Sequence, residues 1–320
     1  MSQDVLSEVL RAVRLQGAVF FSVQANEPWV AEAPAARDLA HHVLPGAEHV
    51  IEYHLVTEGS CYGGLVGDAP IRLEAGDIIV FPQGDAHTMA SAPGLRGDPT
   101  WNSDHSHTAR LPIALSLGEQ RKAPTARLIC GFLGCDARPF NPLLDNLPRV
   151  LHVRPQADGA NLTQLVQLAL SESSTQSSGS GIVIARVSEL LFVEVVRRYI
   201  ASLPEDDVGW LAGLRDTAVG RSLSLLHARP AHPWSLEELA RESGASRSVL
   251  AARFLHLVGM PPMQYLARWR MQLASAELAA GGKKLVQIAS EVGYGSEAAF
   301  SRAFKREVGV APAEYRRTPR

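Results

Sequence analysis

The sequence predicts a two-part α+β chain. An all-β barrel followed by helices forms the N-terminal part, and an all-α double helix-turn-helix forms the C-terminal part. Three observations carry that prediction. Short apolar or alternating runs separated by Gly, Pro and Asp fill residues 17–153. A Ser/Gly-rich stretch at 171–181 parts two longer helical segments. The last third of the chain holds one pattern of landmarks twice. A length of 320 residues at ordinary composition also suits about two domains.

Residues 1–15 are amphipathic and of mixed charge, unlike a signal peptide. No apolar run approaches membrane-spanning length, so a cytoplasmic chain is expected. Runs at 18–23, 49–56, 71–73, 77–81, 127–132 and 150–153 read as strands of a sandwich or barrel over about 17–153. Helices follow at about 161–203, in two segments, 161–170 and 182–203. The second carries a broad apolar face with Val183, Val187, Leu190, Leu191, Val195 and Tyr199. That face serves either to pack on its own β part or to meet a second copy of the chain. The polar stretch 171–181 between the segments reads as a flexible loop. The domains expected are therefore 1–203 and 221–320, with 204–220 as linker.

The first copy of the repeat reads Leu239-Ala240, Gly244, Ser246, Leu250, Phe254, Gly259, Pro262, Tyr265. The second reads Ile288-Ala289, Gly293, Ser296, Phe300, Phe304, Gly309, Pro312, Tyr315. The offset is 49 residues to the glycine and 50 from the serine onward, so one residue is inserted in a turn. Ser235 can cap a short helix whose first turn holds Glu237 and Glu238, and Gly244 ends it in a left-handed conformation. Ser246 caps the next helix, which turns Leu250 and Phe254 inward. A generic helical bundle would explain one such unit, but eight landmarks at nearly constant offset favour two helix-turn-helix modules and hence DNA. Charge agrees. Residues 221–320 hold 15 Lys/Arg against 8 Asp/Glu, whereas the remainder holds 16 against 25. A basic end supplies phosphate attraction and a helix in the groove supplies reading.

Several stretches make the resemblance specific: Trp-Ser-Leu-Glu-Glu-Leu-Ala (234–240), Gly-Met-Pro-Pro-Met-Gln-Tyr-Leu (259–266), Ala-Glu-Leu-Ala (276–279), the run from Ile288 to Arg306, and Gly-Val-Ala-Pro-Ala-Glu-Tyr-Arg-Arg (309–317). With them, residues 221–320 resemble the DNA-binding domain of the AraC/XylS family of bacterial transcription regulators. The resemblance implies one long helix at 262–280 joining the modules, with Tyr265, Leu266, Trp269, Leu273 and Leu278 as packing residues. It implies contacts to double-stranded DNA from Arg247, Ser248, Ala251 and Ala252 in the first module. In the second it implies contacts from Glu297, Ala298, Ser301, Arg302, Lys305 and Arg306. The first set departs from the family's large polar readers, since Ser and Ala cannot make bidentate base contacts. Arg302 suits a guanine and Glu297 a cytosine. Arg247, Lys305 and Arg306 suit phosphates, and Arg253 suits a phosphate or packing. The second module should therefore do more of the reading. Arg241, Lys283 and Lys284 read as solvated surface charges.

Gly76-x5-Pro82-x-Gly84-x2-His87 resembles the second cupin motif. Cys130-Gly-Phe-Leu with Asn141-Pro-Leu-Leu-Asp-Asn-Leu-Pro148 resembles the cupin-type sensor domain of one branch of AraC-type regulators. In the first cupin motif Glu52 replaces the first His, ahead of His54 and Glu58, and Gly64 comes one residue early. Two readings stand. Glu52, His54, Glu58 and His87 form a mixed site for a divalent metal, or the histidines are structural in a barrel that has lost its ligands and requires no cofactor. His105 and His107 sit in a polar segment and read as solvated. Cys130 and Cys135 could pair on oxidation, with Cys61 as a third thiol, or all three are small apolar residues. The resemblance implies a homodimer answering a small-molecule or oxidant signal and contacting RNA polymerase, not an enzyme and not a membrane protein. The alternatives are a metal-dependent cupin enzyme fused to a DNA-binding domain, and a ligand-independent DNA-binding protein.

Overall fold

The computed structural model describes residues 4–99, 113–119, 123–154, 160–175 and 177–317. His105 and His107 lie outside them. Two compact units form, one from Leu15–Cys135 and Leu147–Ser202, the other from Met1–Arg14, Asp136–Asn146 and Leu203–Arg320. The first is strand-rich and the second is helical, as the sequence predicts. The boundary differs from a single cut near 203, because two segments of the N-terminal part belong to the helical unit. Their attachment is long-range: Arg14 and Asp136 form a two-pronged ion pair at 2.6 and 2.7 Å, 122 residues apart in sequence.

The β unit runs β1 (Gln16–Asn26), β2 (Val30–Ala33), β3 (His49–Leu65), β4 (Ile71–Glu74), β5 (Ile78–Phe81), β6 (His87–Ala90), β7 (Ile113–Gly118), β8 (Ala126–Cys135) and β9 (Leu151–Val153). The order is β2-β6-β3-β8-β1-β7, with β4 on β3 and β5 between β3 and β9. β3 organises the sheet. Its first half pairs with β8 and β5, its second half with β4 and β6. Between the halves Gly59 adopts φ +76°, and a Cβ there would lie 2.0 Å from the Thr125 carbonyl oxygen. Only glycine lets the strand turn that corner so close to its neighbour. The sheet thus curls into a cupin-like half-barrel whose core includes Val23, Val56, Leu73, Ile79, Phe81 and Met89.

Three helices of this unit matter: α2 (Ala36–Val43), α3 (Ala160–Thr175) and α4 (Ser180–Ser202), with α1 (Val5–Ala12) preceding them in the helical unit. The expected loop at 171–181 is largely helix, since α3 extends through Thr175 and α4 starts at Ser180. Buried Ser180 donates its hydroxyl to Glu172 at 2.8 Å across the connection, and Gly179 turns at φ +93° just ahead of α4. The apolar face of α4 is mostly used within its own unit. Ile184, Val187, Leu191 and Val195 are buried, Tyr53 and Ser188 hydroxyls meet at 2.6 Å, and Glu189 accepts from the Gly17 N–H at 3.0 Å.

The helical unit continues with α5 (Trp210–Arg215), α6 (Thr217–Ala228), α7 (Leu236–Glu242), α8 (Arg247–Val258), α9 (Pro262–Ala280), α10 (Leu285–Glu291), α11 (Glu297–Val308) and α12 (Pro312–Arg317). The long joining helix has the expected bounds. Its Tyr265, Leu266, Trp269 and Leu278 are buried and Leu273 is partly buried, as the resemblance implies. Phe300 and Phe304 of α11 complete a core with Met271, Leu278, Ile288 and Val292.

Candidate nucleic-acid interface

Each module is a short helix, a tight turn and a longer helix. Ser235 caps α7 by accepting from the Glu238 N–H, Ser246 caps α8 from Val249, and Ser296 caps α11 from Ala299. Both turns close alike. Ala245 N–H reaches the Ala240 carbonyl at 3.0 Å, and Tyr294 N–H reaches the Ala289 carbonyl at 2.8 Å. Gly244 and Gly293 sit between at φ +74° and +83°, the left-handed stop of a Schellman turn. Since the two closures match, the inserted residue is Gly295, placed after the closed turn where it lengthens the link and leaves the helix pairing intact. Leu250 with Phe254 and Phe300 with Phe304 are completely buried, so α8 and α11 are held by the same anchors.

The outward faces differ. On α11 Glu297, Ala298, Arg302, Lys305 and Arg306 are exposed, and Ser301 is half-buried. Arg302 and Lys305 enter no ion pair among the described residues, and Arg306 meets Glu307 at 3.0 Å. On α8 Arg247, Ser248 and Ala252 are exposed and Ala251 is half-buried. Arg253 is committed elsewhere: it pairs with Asp216, which caps α6 by accepting from the Ala218 and Val219 N–H groups. It is a brace. Among the flanking charges, Lys283 bridges Glu277 and Glu291 at 2.9 and 2.7 Å.

The half-barrel interior holds the other predicted side chains, and they do not converge as a metal site. His87 Nδ1–H donates to the Asp85 carbonyl at 3.0 Å, which leaves its Nε2 to accept from His54 Nε2–H at 2.8 Å. His54 Nδ1 is then a buried acceptor without a partner, and Glu52 Oε1 is likewise unpartnered. Glu52 Oε2 stands 3.8 Å from His87 Nε2, and burial pushes its carboxyl up to about 8, so it is neutral at pH 7. Burial holds both histidines well below their ordinary value, His87 near 4, with the two rings acting on one another at His54. Phe81 stacks on His87 at 3.8 Å. Glu58 has left the group: a bulge in β3 between Val56 and Glu58 turns it to the exposed side, where it pairs with Arg127 at 2.9 Å. Among the described residues no three His, Cys, Asp or Glu side chains are arranged to hold a metal ion.

The cysteine pair is also corrected. Cys130 and Cys135 lie on one strand, β8, five residues apart, which places them on opposite faces about 16 Å from each other. A disulfide needs Cα atoms within about 7 Å. Burial raises the Cys61 thiol to about 12 and raises Cys130 further, so neither is a poised thiolate.

A cupin family model matches residues 4–201 and a helix-turn-helix domain model matches residues 239–318. A protein of Streptomyces antibioticus described as an AraC-like transcription regulator is 33% identical over 99% of both chains. The chain belongs to the AraC-like transcription regulators. The regulator AlkR of Acinetobacter baylyi is 28% identical over 98% of this chain and 99% of its own. Among solved structures, the DNA-binding domain of AdpA in complex with a target DNA is 26% identical over 32% of this chain and 91% of that one, with a TM-score of 0.30. As an AraC-like protein with a cupin N-terminal domain, the chain is a DNA-binding transcription regulator. No helix among its described residues is long and apolar enough to cross a membrane.

This AraC-like chain also uses residues that sequence reasoning missed. Arg270 of α9 donates to the Pro230 and His232 carbonyls at 2.7 and 2.9 Å, ahead of the first module, and to the Gly293 carbonyl at 3.4 Å in the second. One half-buried guanidinium therefore ties the turn of the second module to the loop that leads into the first. Gln272, fully buried, accepts from Phe140 N–H at 3.1 Å and donates to the Ala12 carbonyl at 3.2 Å, so α9 also holds the segments contributed by the N-terminal part. Trp210 Nε1–H donates to the Tyr265 hydroxyl, which donates to His227 Nε2 at 2.8 Å. A polar side chain on the buried face of a long helix was the one signal available for Gln272.

Proposed function

We propose that this regulator is signal-responsive through its cupin-like unit, acts as a cytoplasmic homodimer on promoter DNA where it contacts RNA polymerase, and is not itself an enzyme. The observation that carries signal response is the composition of the helical unit. Its Asp136–Asn146 segment leaves β8 and returns towards β9, and its Met1–Arg14 segment leads into β1. A change in where those strands end is thereby passed to α9 through Phe140 and Gln272. A signal that binds one strand arrangement better than another shifts the population competent for DNA. The closed His54–His87 pair and the distant Glu58 support a non-catalytic cupin-like unit that needs no divalent metal. Leu168, Ile182 and Leu190, which are 42%, 72% and 53% exposed on α3 and α4, support a homodimer through that face.

Selecting bound fragments from genomic DNA with the full chain tests the function. Discrete sites upstream of genes are expected, and binding that depends on salt alone with no preferred site would overturn it. Metal analysis of untagged protein should give far less than one ion per chain, and one zinc or iron per chain would restore the metalloprotein reading. In light scattering, Ile182→Glu combined with Leu190→Glu should halve the mass, and an unchanged mass would refute that interface.

A further inference from the structure

The first module's outward face carries an apolar ridge beside exposed Arg247, Ser248 and His256. Val249 and Leu255 of α8 are 53% and 50% exposed, two large hydrophobic side chains left in solvent on one twelve-residue helix. With Ala252 between them they follow one another at three-residue intervals, forming an oblique ridge. Ser248 flanks that ridge, and Arg253 on the same helix is drawn off by Asp216. The repeat shows what the ridge replaces. Ala252 stands where the second module has Arg302, and Leu255 stands where it has Lys305, while the burial of Leu250 and Phe254 fixes α8 in the same rotation as α11.

We infer that α8 reads thymine methyl groups, with Val249 and Ala252 as its specificity-determining residues and Leu255 continuing the contact. This rests on α8 entering a major groove as the first recognition helix. In that groove the C5-methyl of thymine is the distinctive apolar feature of the base edges, set among hydrogen-bond donors and acceptors. A ridge of Val, Ala and Leu satisfies none of those polar groups but covers methyls well. The first half of the operator is therefore selected for the positions of its thymines, and the second half by hydrogen bonds from Arg302. A protein partner for the same ridge is the competing occupant. It would leave thymine and uracil equivalent.

The test replaces thymine by uracil, which removes only the methyl. The full chain first selects its site from a random duplex pool. Each thymine of that duplex is then changed singly to uracil, and the dissociation constant is measured at one fixed salt concentration. At thymines in the half-site of the first module, roughly fourfold weaker binding is expected for each methyl lost. Val249→Ala should abolish the sensitivity at one of them. Ala252→Trp, too large for the groove, marks the placement of α8 itself and should weaken binding at least tenfold with unchanged melting temperature. If Ala252→Trp weakens binding but no uracil does, methyl reading is wrong and the groove placement stands. If Ala252→Trp and Val249→Ala both bind like the parent, α8 is outside the groove, and both the placement and the inference fall.

Discussion

In the first module the turn closes from Ala245 onto Ala240, and in the second from Tyr294 onto Ala289. Leu250 and Phe254 anchor one recognition helix as Phe300 and Phe304 anchor the other. The outward faces share almost nothing: Ser248, Val249, Ala252 and Leu255 stand against Ala298, Ala299, Arg302 and Lys305. What repeats is the part that folds, and what diverges is the exposed face. The exposed cations Arg302, Lys305 and Arg306 stand on the second helix, while the first carries Arg247 and an apolar ridge. The two outward faces thus differ in chemistry on one frame, which Arg270 of α9 helps to hold through the Pro230, His232 and Gly293 carbonyls.

The largest expected effect concerns the frame. Phe254→Ala and Phe304→Ala each remove a fully buried ring at matched positions, and each should cost about 3–5 kcal/mol in denaturant unfolding of the full chain. Similar losses would support an equivalent scaffold. A cost below about 1 kcal/mol at one site would show that one module is a passenger.

Acid should separate the halves next. His227, stacked on Trp269 and accepting from Tyr265, is pushed down to about 3 by burial, whereas the core around Phe300 and Phe304 contains no histidine. With its folded value below the ordinary 6.5, the unfolded chain takes the proton first. The stabilising difference is complete above pH 6.5 and shrinks as pH falls toward 3, by up to about 1.4 kcal/mol per pH unit. His227→Gln keeps an acceptor for Tyr265 and should flatten this part of the stability profile relative to the parent chain. Parallel profiles for the two proteins would rule the assignment out.

The fold-building landmarks were legible because they are local. Caps, left-handed glycines and i, i+4 anchors act within one turn of helix, and the turn that holds the inserted residue followed from them. The bounds of α9 came instead from the family resemblance, and Gly295 from the turn closures. β2, β6 and β7 were not foreseen. Their short runs, such as Val30-Ala-Glu-Ala33, carry little strand preference and depend on pairing with distant strands. The division of the chain was hidden for the same reason, since Gln272 meets Ala12 across 260 residues and Arg14 meets Asp136 across 122. In the half-barrel, motif spacing located His54 and His87 correctly. It could not show that β3 bulges between Val56 and Glu58 and so carries Glu58 outside, nor that five residues along β8 set Cys130 and Cys135 on opposite faces.

On DNA the difference between modules can be measured directly. Arg302→Ala should weaken binding by about 1–3 kcal/mol and relax discrimination at one base pair, most visibly against a guanine substitution series. A uniform loss over all base pairs would make Arg302 a phosphate contact and leave the second module with little hydrogen-bond reading.

The smallest expected effect tests whether the contrast can be erased. Leu255 occupies the place that Lys305 holds in the second module, so Leu255→Lys gives the first helix the missing cation. One added phosphate contact should steepen the dependence of log K on log salt by about 0.9 and tighten binding a few-fold at low salt. Because Leu255 is already half exposed, the change should leave folding stability within about 0.5 kcal/mol. The same variant should keep the thymine dependence at Val249 and Ala252, since those residues lie earlier on the helix. If the salt slope does not move, position 255 faces away from the backbone. The two recognition helices would then differ in their orientation on DNA as well as in their chemistry.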